Sequence, residues 1–130
     1  MYKSLRSTLH FAAAPSVIYN MLATAEGHTA MTGAPTEMDA TVGGAFSGFG
    51  GMLSAVNVEL VPNKRIVQMW RAGDWPAGHH STVTYELSPD ANGTTMAFTQ
   101  TGIPDAQFHD ISHGWQEHYW DKMTAATAKK

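Results

Sequence analysis

The chain contains no cysteine. That excludes disulfides, thiolate nucleophiles and thiolate metal sites together. Charge is scarce as well: 15% of the 130 residues are Asp, Glu, Lys or Arg, the net charge is −3, and no basic cluster exceeds a pair. A nucleic-acid footprint needs a basic stripe, so nucleic acid is not an expected partner. Long apolar runs are missing, so no segment reads as a membrane span, and no cationic leader precedes an apolar stretch. A cytoplasmic protein is the expectation. Nucleophile elbows, phosphate-cradling lysine loops and dinucleotide fingerprints are absent too. Asn92-Gly93-Thr94 fits a glycosylation acceptor, but without a secretory signal it reads only as a turn.

What is present is apolar. Hydrophobic residues make up 43% of the chain, enough at this length for one domain around one core. Residues from about 4 to 11 alternate, with Leu5, Leu9 and Phe11 on one side and Arg6, Thr8 and His10 on the other, which predicts a half-buried strand. Ala14-Pro15-Ser16 opens a helix, proline being tolerated in the first turn. Its apolar stripe is Val17, Ile18, Met21, Leu22 and Ala25. Gly27 and Gly33-Ala34-Pro35 bound an irregular stretch with one more helical turn around Ala30 and Met31.

The middle of the chain reads as successive strands. One begins at Gly43-Gly44-Ala45-Phe46, and Gly48-Phe49-Gly50-Gly51 predicts a tight hairpin connection. From Met52 to Val61 the pattern favours Met52, Val56, Val58 and Leu60 on the buried face. Pro62-Asn63-Lys64 is a turn, and Ile66 to Arg71 is a further strand. A loop follows with Trp75-Pro76 and Gly78-His79-His80. Val83, Tyr85 and Leu87 alternate with Thr82, Thr84 and Glu86, and Pro89 to Gly93 closes a hairpin onto Thr95 to Gln100, with Met96 and Phe98 inward. Strands that follow one another without helices pair antiparallel as a meander. The last segment is helical: Trp115, Tyr119, Met123 and Ala126, at spacings of four, four and three, share one face, flanked by His118 and Trp120.

Three constellations invite a chemical reading. The glycines at 43, 44, 48, 50 and 51 lack a following Lys-Ser/Thr and serve turns and sheet curvature. Asp105, His109, His113 and Glu117 stand four apart and would stack if the helix began early. Imidazole and carboxylate are metal ligands, but i,i+4 pairing on a hydrated face explains the spacing equally, and no metal or other cofactor is expected. Trp70, Tyr85, His118 and Tyr119 would form a polar cluster if all point inward, with His118 the candidate for acid–base work, but the favoured reading is that His118 hydrogen-bonds across the core or points to water. The methionines on the apolar stripes read as gap-filling core.

The stretch Glu59-Leu60-Val61-Pro62-Asn63-Lys64-Arg65-Ile66-Val67-Gln68-Met69-Trp70-Arg71 resembles the C-terminal domain of the activator-of-heat-shock-protein-90-ATPase family. So do Trp75-Pro76-Ala77-Gly78-His79, Gly93-Thr94, Thr101-Gly102-Ile103-Pro104 and Gly114-Trp115 through Trp120, in the family's order. The likeness covers essentially the whole chain. It implies a single START-like domain over residues 1–130, an α+β helix-grip fold. In that fold a curved antiparallel sheet of about six strands wraps a long C-terminal helix, with short helices after the first strand. Relatives in the wider superfamily bind apolar molecules between sheet and helix. Eukaryotic relatives join this domain to a separate N-terminal one and stimulate a chaperone ATPase. The C-terminal type alone is expected here.

Two functions of different class follow, with a weaker third. The leading expectation is non-catalytic binding of a small apolar or aromatic ligand between sheet and closing helix, in a cavity lined by Trp70, Tyr85, Phe98, Trp115, His118 and Tyr119. The alternative is a co-chaperone that docks on a heat-shock chaperone ATPase through its surface. The third is a cyclase- or hydrolase-type enzyme using His118 as acid or base. A closed internal cavity favours the ligand, and an exposed apolar patch on the outer sheet favours docking.

Overall fold

In the computed structural model, which describes residues 2–33, 36–39, 41–48, 53–76 and 78–127, the chain opens with β1 (Tyr2–Phe11), α1 (Pro15–Ala23) and α2 (Ala25–Thr32). Six strands follow: β2 (Thr36–Met38), β3 (Ala45–Gly48), β4 (Leu53–Val61), β5 (Arg65–Ala72), β6 (Ser81–Asp90) and β7 (Gly93–Pro104). The closing helix begins with a 3-10 turn (Asp105–Gln107) and continues as α3 (Phe108–Trp115), a π-helical turn (Gln116–Trp120) and α4 (Asp121–Thr127). The sheet has seven strands in the order β1-β7-β6-β5-β4-β3-β2, each pair antiparallel. Compared with the expectation of about six, the added strand is β2, three residues long, which follows the stretch that reads as irregular.

Local chemistry sets the turns. Pro62 followed by Asn63 at φ 65° has the order of a type II turn, and Lys64 N–H donates to Val61 O at 3.0 Å. The β6–β7 turn is tied by Asp90, whose carboxylate accepts from Asn92 N–H at 2.8 Å and Thr95 Oγ1 at 2.6 Å and pairs with His10 Nδ1 at 2.7 Å. The Thr95 hydroxyl, the largest influence, holds that carboxyl below its ordinary pKa. Gly93 sits at φ 148°, and a Cβ there would lie 2.2 Å from the Phe11 carbonyl oxygen, so only glycine lets β7 start this close to the end of β1. Thr24 caps α2 by accepting from Gly27 N–H at 3.0 Å. A Cβ on Gly27 would meet Asn20 O at 2.1 Å, which is how closely α2 abuts α1.

The core lies between the inward face of the sheet and the helices, and includes Phe11, Ile18, Leu22, Ile66, Val83, Leu87, Met96, Ile103 and Met123. Burial of each such side chain contributes roughly 1.5–3 kcal/mol. The expected inward faces of β1, β6 and β7 are the observed ones, and Trp70 points inward from β5. In α1, Ile18 and Leu22 are buried, Met21 is half-buried and Val17 is exposed.

Two expectations are corrected. In β4 the inward residues are Ala55 and Asn57, whereas Val56 and Val58 are exposed, at 42% and 49%. A bulge between Asn57 and Glu59 then shifts the phase, so that Leu60 still packs against the core. Met52 and the predicted hairpin at Gly48-Phe49-Gly50-Gly51 fall on or across 49–52, outside the described residues. In the closing helix the π turn adds a residue, so both Tyr119 and Trp120 turn inward and the face ends at buried Thr127, leaving Ala126 exposed. Among the described residues no helix is long and apolar enough to cross a membrane.

Candidate functional site

The aromatic interior is built from three sources. Strand alternation points Trp70 (β5), Tyr85 (β6) and Phe98 (β7) inward, and the closing helix supplies Trp115, Tyr119 and Trp120; all six are buried. Their rings are in mutual contact. Trp115 lies 4.5 Å from Tyr119, 4.7 Å from Phe98, 5.4 Å from Trp120 and 5.5 Å from Trp70, centroid to centroid. Tyr85 stands 5.5 Å from Phe98 and 6.2 Å from Trp115. These separations are those of rings packed edge-to-face or offset against one another. Five of the six expected cavity residues are therefore brought together, each in ring contact with another of the set.

The sixth is not among them. His118 is exposed. The π turn carries Tyr119 and Trp120 inward and leaves Gln116, Glu117 and His118 on the solvent side. The interior imidazole is His28 of α2, 1% exposed. Its Nε2 is 2.6 Å from Tyr119 Oη, and its Nδ1 is 2.7 Å from Thr36 Oγ1. Burial holds its pKa down to about 4. The neutral ring has one donor and one acceptor, and the two hydroxyls can complement either tautomer. Burial also pushes the Tyr119 hydroxyl up, and raises that of Tyr85 well above its usual value, with Tyr119 as a second cause. The interior is thus uncharged at neutral pH. This cluster joins α2, β2 and the closing helix. The sequence signal for His28 is faint: it precedes Met31 and Thr32 by three and four residues, but α2 (Ala25–Thr32) has too few apolar residues to show which face is inward.

A second polar chain crosses the aromatic layer. Trp115 Nε1 donates to Gln100 Oε1 at 2.7 Å, Gln100 Nε2 to Ser81 Oγ at 2.8 Å, and Ser81 Oγ to Trp70 O at 3.1 Å. Each donor finds an acceptor, so the buried amide is satisfied. Trp75, read from sequence as a loop residue, is also buried, 5.5 Å from Trp70 and 5.4 Å from His79. Arg71 Nη2 donates to Trp75 O at 2.7 Å and holds that loop in place. Trp75 Nε1 is buried with no acceptor.

The remaining histidines lie elsewhere. His79 Nε2 is 2.8 Å from Gly102 O, its ring stacks on Tyr2 at 4.8 Å, and His80 is exposed. Asp105, His109, His113 and Glu117 are all exposed, and His113 Nε2 pairs with Glu117 Oε2 at 3.0 Å. Among the described residues no three such side chains are grouped to hold a metal ion.

Known proteins share this architecture. Residues 12–128 match the family described as Activator of Hsp90 ATPase homolog 1-like protein. The chain is 33% identical over 111 residues to activator of 90 kDa heat shock protein ATPase homolog 1 of Homo sapiens, covering 85% of this chain and 33% of that protein. It is 32% identical over 122 residues to the corresponding Dictyostelium discoideum homolog, covering 93% and 32% respectively. The chain therefore spans about a third of the length of these relatives. The crystal structure of an HSP90 activator from Plasmodium falciparum superposes with a TM-score of 0.86 at 26% identity, over 97% of this chain and 95% of that one. A match across nearly the whole domain, in both sequence and fold, places this chain in the activator of Hsp90 ATPase homolog 1-like family.

Proposed function

We propose that this domain works as a co-chaperone module that docks on a 90 kDa heat shock protein and modulates its ATPase. The observation that carries this reading is the interior itself. Trp70, Tyr85, Phe98, Trp115, Tyr119 and Trp120 occupy the space between sheet and helix with their own rings. A domain so filled has its outer surface left for recognition. Its relatives carry names that make them Hsp90 activators. Val56 and Val58 of β4 are exposed apolar side chains on the outer sheet, the side on which docking is expected. The test is steady-state ATP hydrolysis by the 90 kDa heat shock protein of the same organism, with this domain titrated in. A saturable change in rate, matched by a binding isotherm, is expected; no binding with or without nucleotide refutes the reading.

Ligand binding between sheet and helix is the second reading, and one observation favours it. Trp75 Nε1 is a buried donor without an acceptor, and a small molecule bearing a carbonyl would supply one. Native mass spectrometry of protein from its own host tests this, with an added mass at unit stoichiometry as the supporting result. The enzyme reading needs a titrating group inside, and the imidazole there is His28, held neutral and hydrogen-bonded on both nitrogens.

A further inference from the structure

The sheet carries a local inversion where Asn57 of β4 pairs with Gln68 of β5. Asn57 and Gln68 face the interior, 1% and 3% exposed, while Val56, Val58 and Met69 face out, the last at 36%. A half-buried antiparallel sheet ordinarily does the reverse, apolar in and polar out. The inward amides are held by a dedicated network: Gln68 Nε2 donates to Asn57 Oδ1 at 3.1 Å, and Asn57 Nδ2 donates to Asp39 O at 3.0 Å. That network ties down the turn ahead of β3, where Gly43 N–H donates to Asn57 O at 2.7 Å. Val42 on this turn is 64% exposed. The outward apolar residues are contiguous, since Val56 is the register partner of both Met69 and Ala45.

The contrast within the same face sharpens the point. Across β6 and β7 the outer pairs are Thr82 with Thr101, Thr84 with Thr99 and Glu86 with Ala97. Among the described strands, the exposed large apolar side chains are Val56, Val58 and Val61 of β4 and Met69 of β5, with Tyr2 at the far edge on β1. The margin of the β4–β5 group holds the Glu59–Arg65 ion pair at 2.7 Å, whose charges are mutually paired. An apolar centre with a polar, charge-balanced rim is the composition of a non-obligate protein interface. A local choice that opposes the fold's own patterning marks a surface kept for function.

We propose that the outer face of β3–β4–β5, centred on Val56, Val58 and Met69, is where the 90 kDa heat shock protein seats on this domain. The proposal rests on the docking function above and adds its location. The chain has no cysteine, so Val58→Cys creates a unique thiol for a fluorophore at the patch. Titrating the chaperone against this labelled protein is expected to shift the emission saturably. The double variant Val56→Lys with Met69→Lys is expected to weaken binding about tenfold or more, with the circular dichroism spectrum and melting temperature of the parent. Thr84→Lys, on the threonine side, is expected to bind as the parent does. If the double variant does not fold, Val56→Thr with Met69→Thr replaces it, and the Val58 label reads the site without either. Parent binding with an unresponsive label and an unweakened variant overturns the location and leaves the docking function standing. No binding by the parent overturns both. Self-association abolished by the double variant, with chaperone affinity unchanged, assigns the face to a second copy of this chain and overturns the proposal.

Discussion

Replacing Trp115 with alanine removes the hub of the aromatic interior. The side chain is 2% exposed and touches rings from two strands and from its own helix. Lost transfer free energy and the cavity left behind together cost about 3–5 kcal/mol for a buried aromatic of this size. Gln100 Oε1 also loses its donor at 2.7 Å, and a stranded buried acceptor adds about 1–3 kcal/mol. The sum, about 4–8 kcal/mol, approaches the whole stability of a typical domain, about 5–15 kcal/mol. Trp115→Phe separates the two contributions, because it keeps most of the ring packing and removes the N–H. Urea denaturation followed by far-ultraviolet circular dichroism avoids the change in fluorophore content. With a slope of about 2 kcal/mol/M, the alanine variant should lose about 2–4 M in midpoint. The phenylalanine variant should lose clearly less. An alanine cost below about 1 kcal/mol would refute the reasoning, since it would place the indole outside a packed core.

Three further outcomes are expected. His28 has a folded pKa of about 4 against an ordinary 6.5, so the unfolded chain binds its proton first and the stability is full above pH 6.5 and falls as pH drops toward 4. The loss between pH 7.5 and 5 is about 2 kcal/mol; urea midpoints at the two values measure it, and His28→Asn should flatten that slope. Gly93→Ala should destabilise by about 2 kcal/mol or more, because its Cβ would collide with the Phe11 and Ala13 backbone at a φ of 148°; thermal melts of the purified variant test this, and an unchanged melting temperature would contradict it. Zinc or a chelator should leave the melting temperature unmoved, since His113 and Glu117 form an exposed pair; a saturable rise abolished by His109→Ala would overturn that.

Much of the site was legible in the sequence, and the exceptions have physical causes. Trp70, Tyr85 and Phe98 follow from period-two alternation on strands whose inward sets are mostly apolar, with Gln68, Ser81, Thr94 and Gln100 as the polar exceptions. Trp115 and Tyr119 follow from the helical repeat. His118 was placed inside because a regular 3.6-residue period sets it at the margin of the apolar face, and the π turn moves it out. His28 and Trp75 sit on elements with weak patterning of their own, and their burial comes from what packs over them: Tyr119 against one, Trp70 and His79 against the other.

By itself the sequence determined the order of elements, the antiparallel meander from β3 to β7, the inward faces of β6 and β7, and the family. These rest on local rules, turn chemistry and periodicity, which act within about ten residues of chain. The tertiary structure alone decided three things. It paired β1 with β7 across the length of the domain, turned the valines of β4 outward, and made His28 part of the interior. Alternation says which residues of a strand share a face, but which face looks inward depends on what closes over it. In β4 the amide of Asn57 finds its partners in Gln68 and the Asp39 carbonyl, on the inner side. Those partners lie 11 and 18 residues away, beyond the reach of any local pattern.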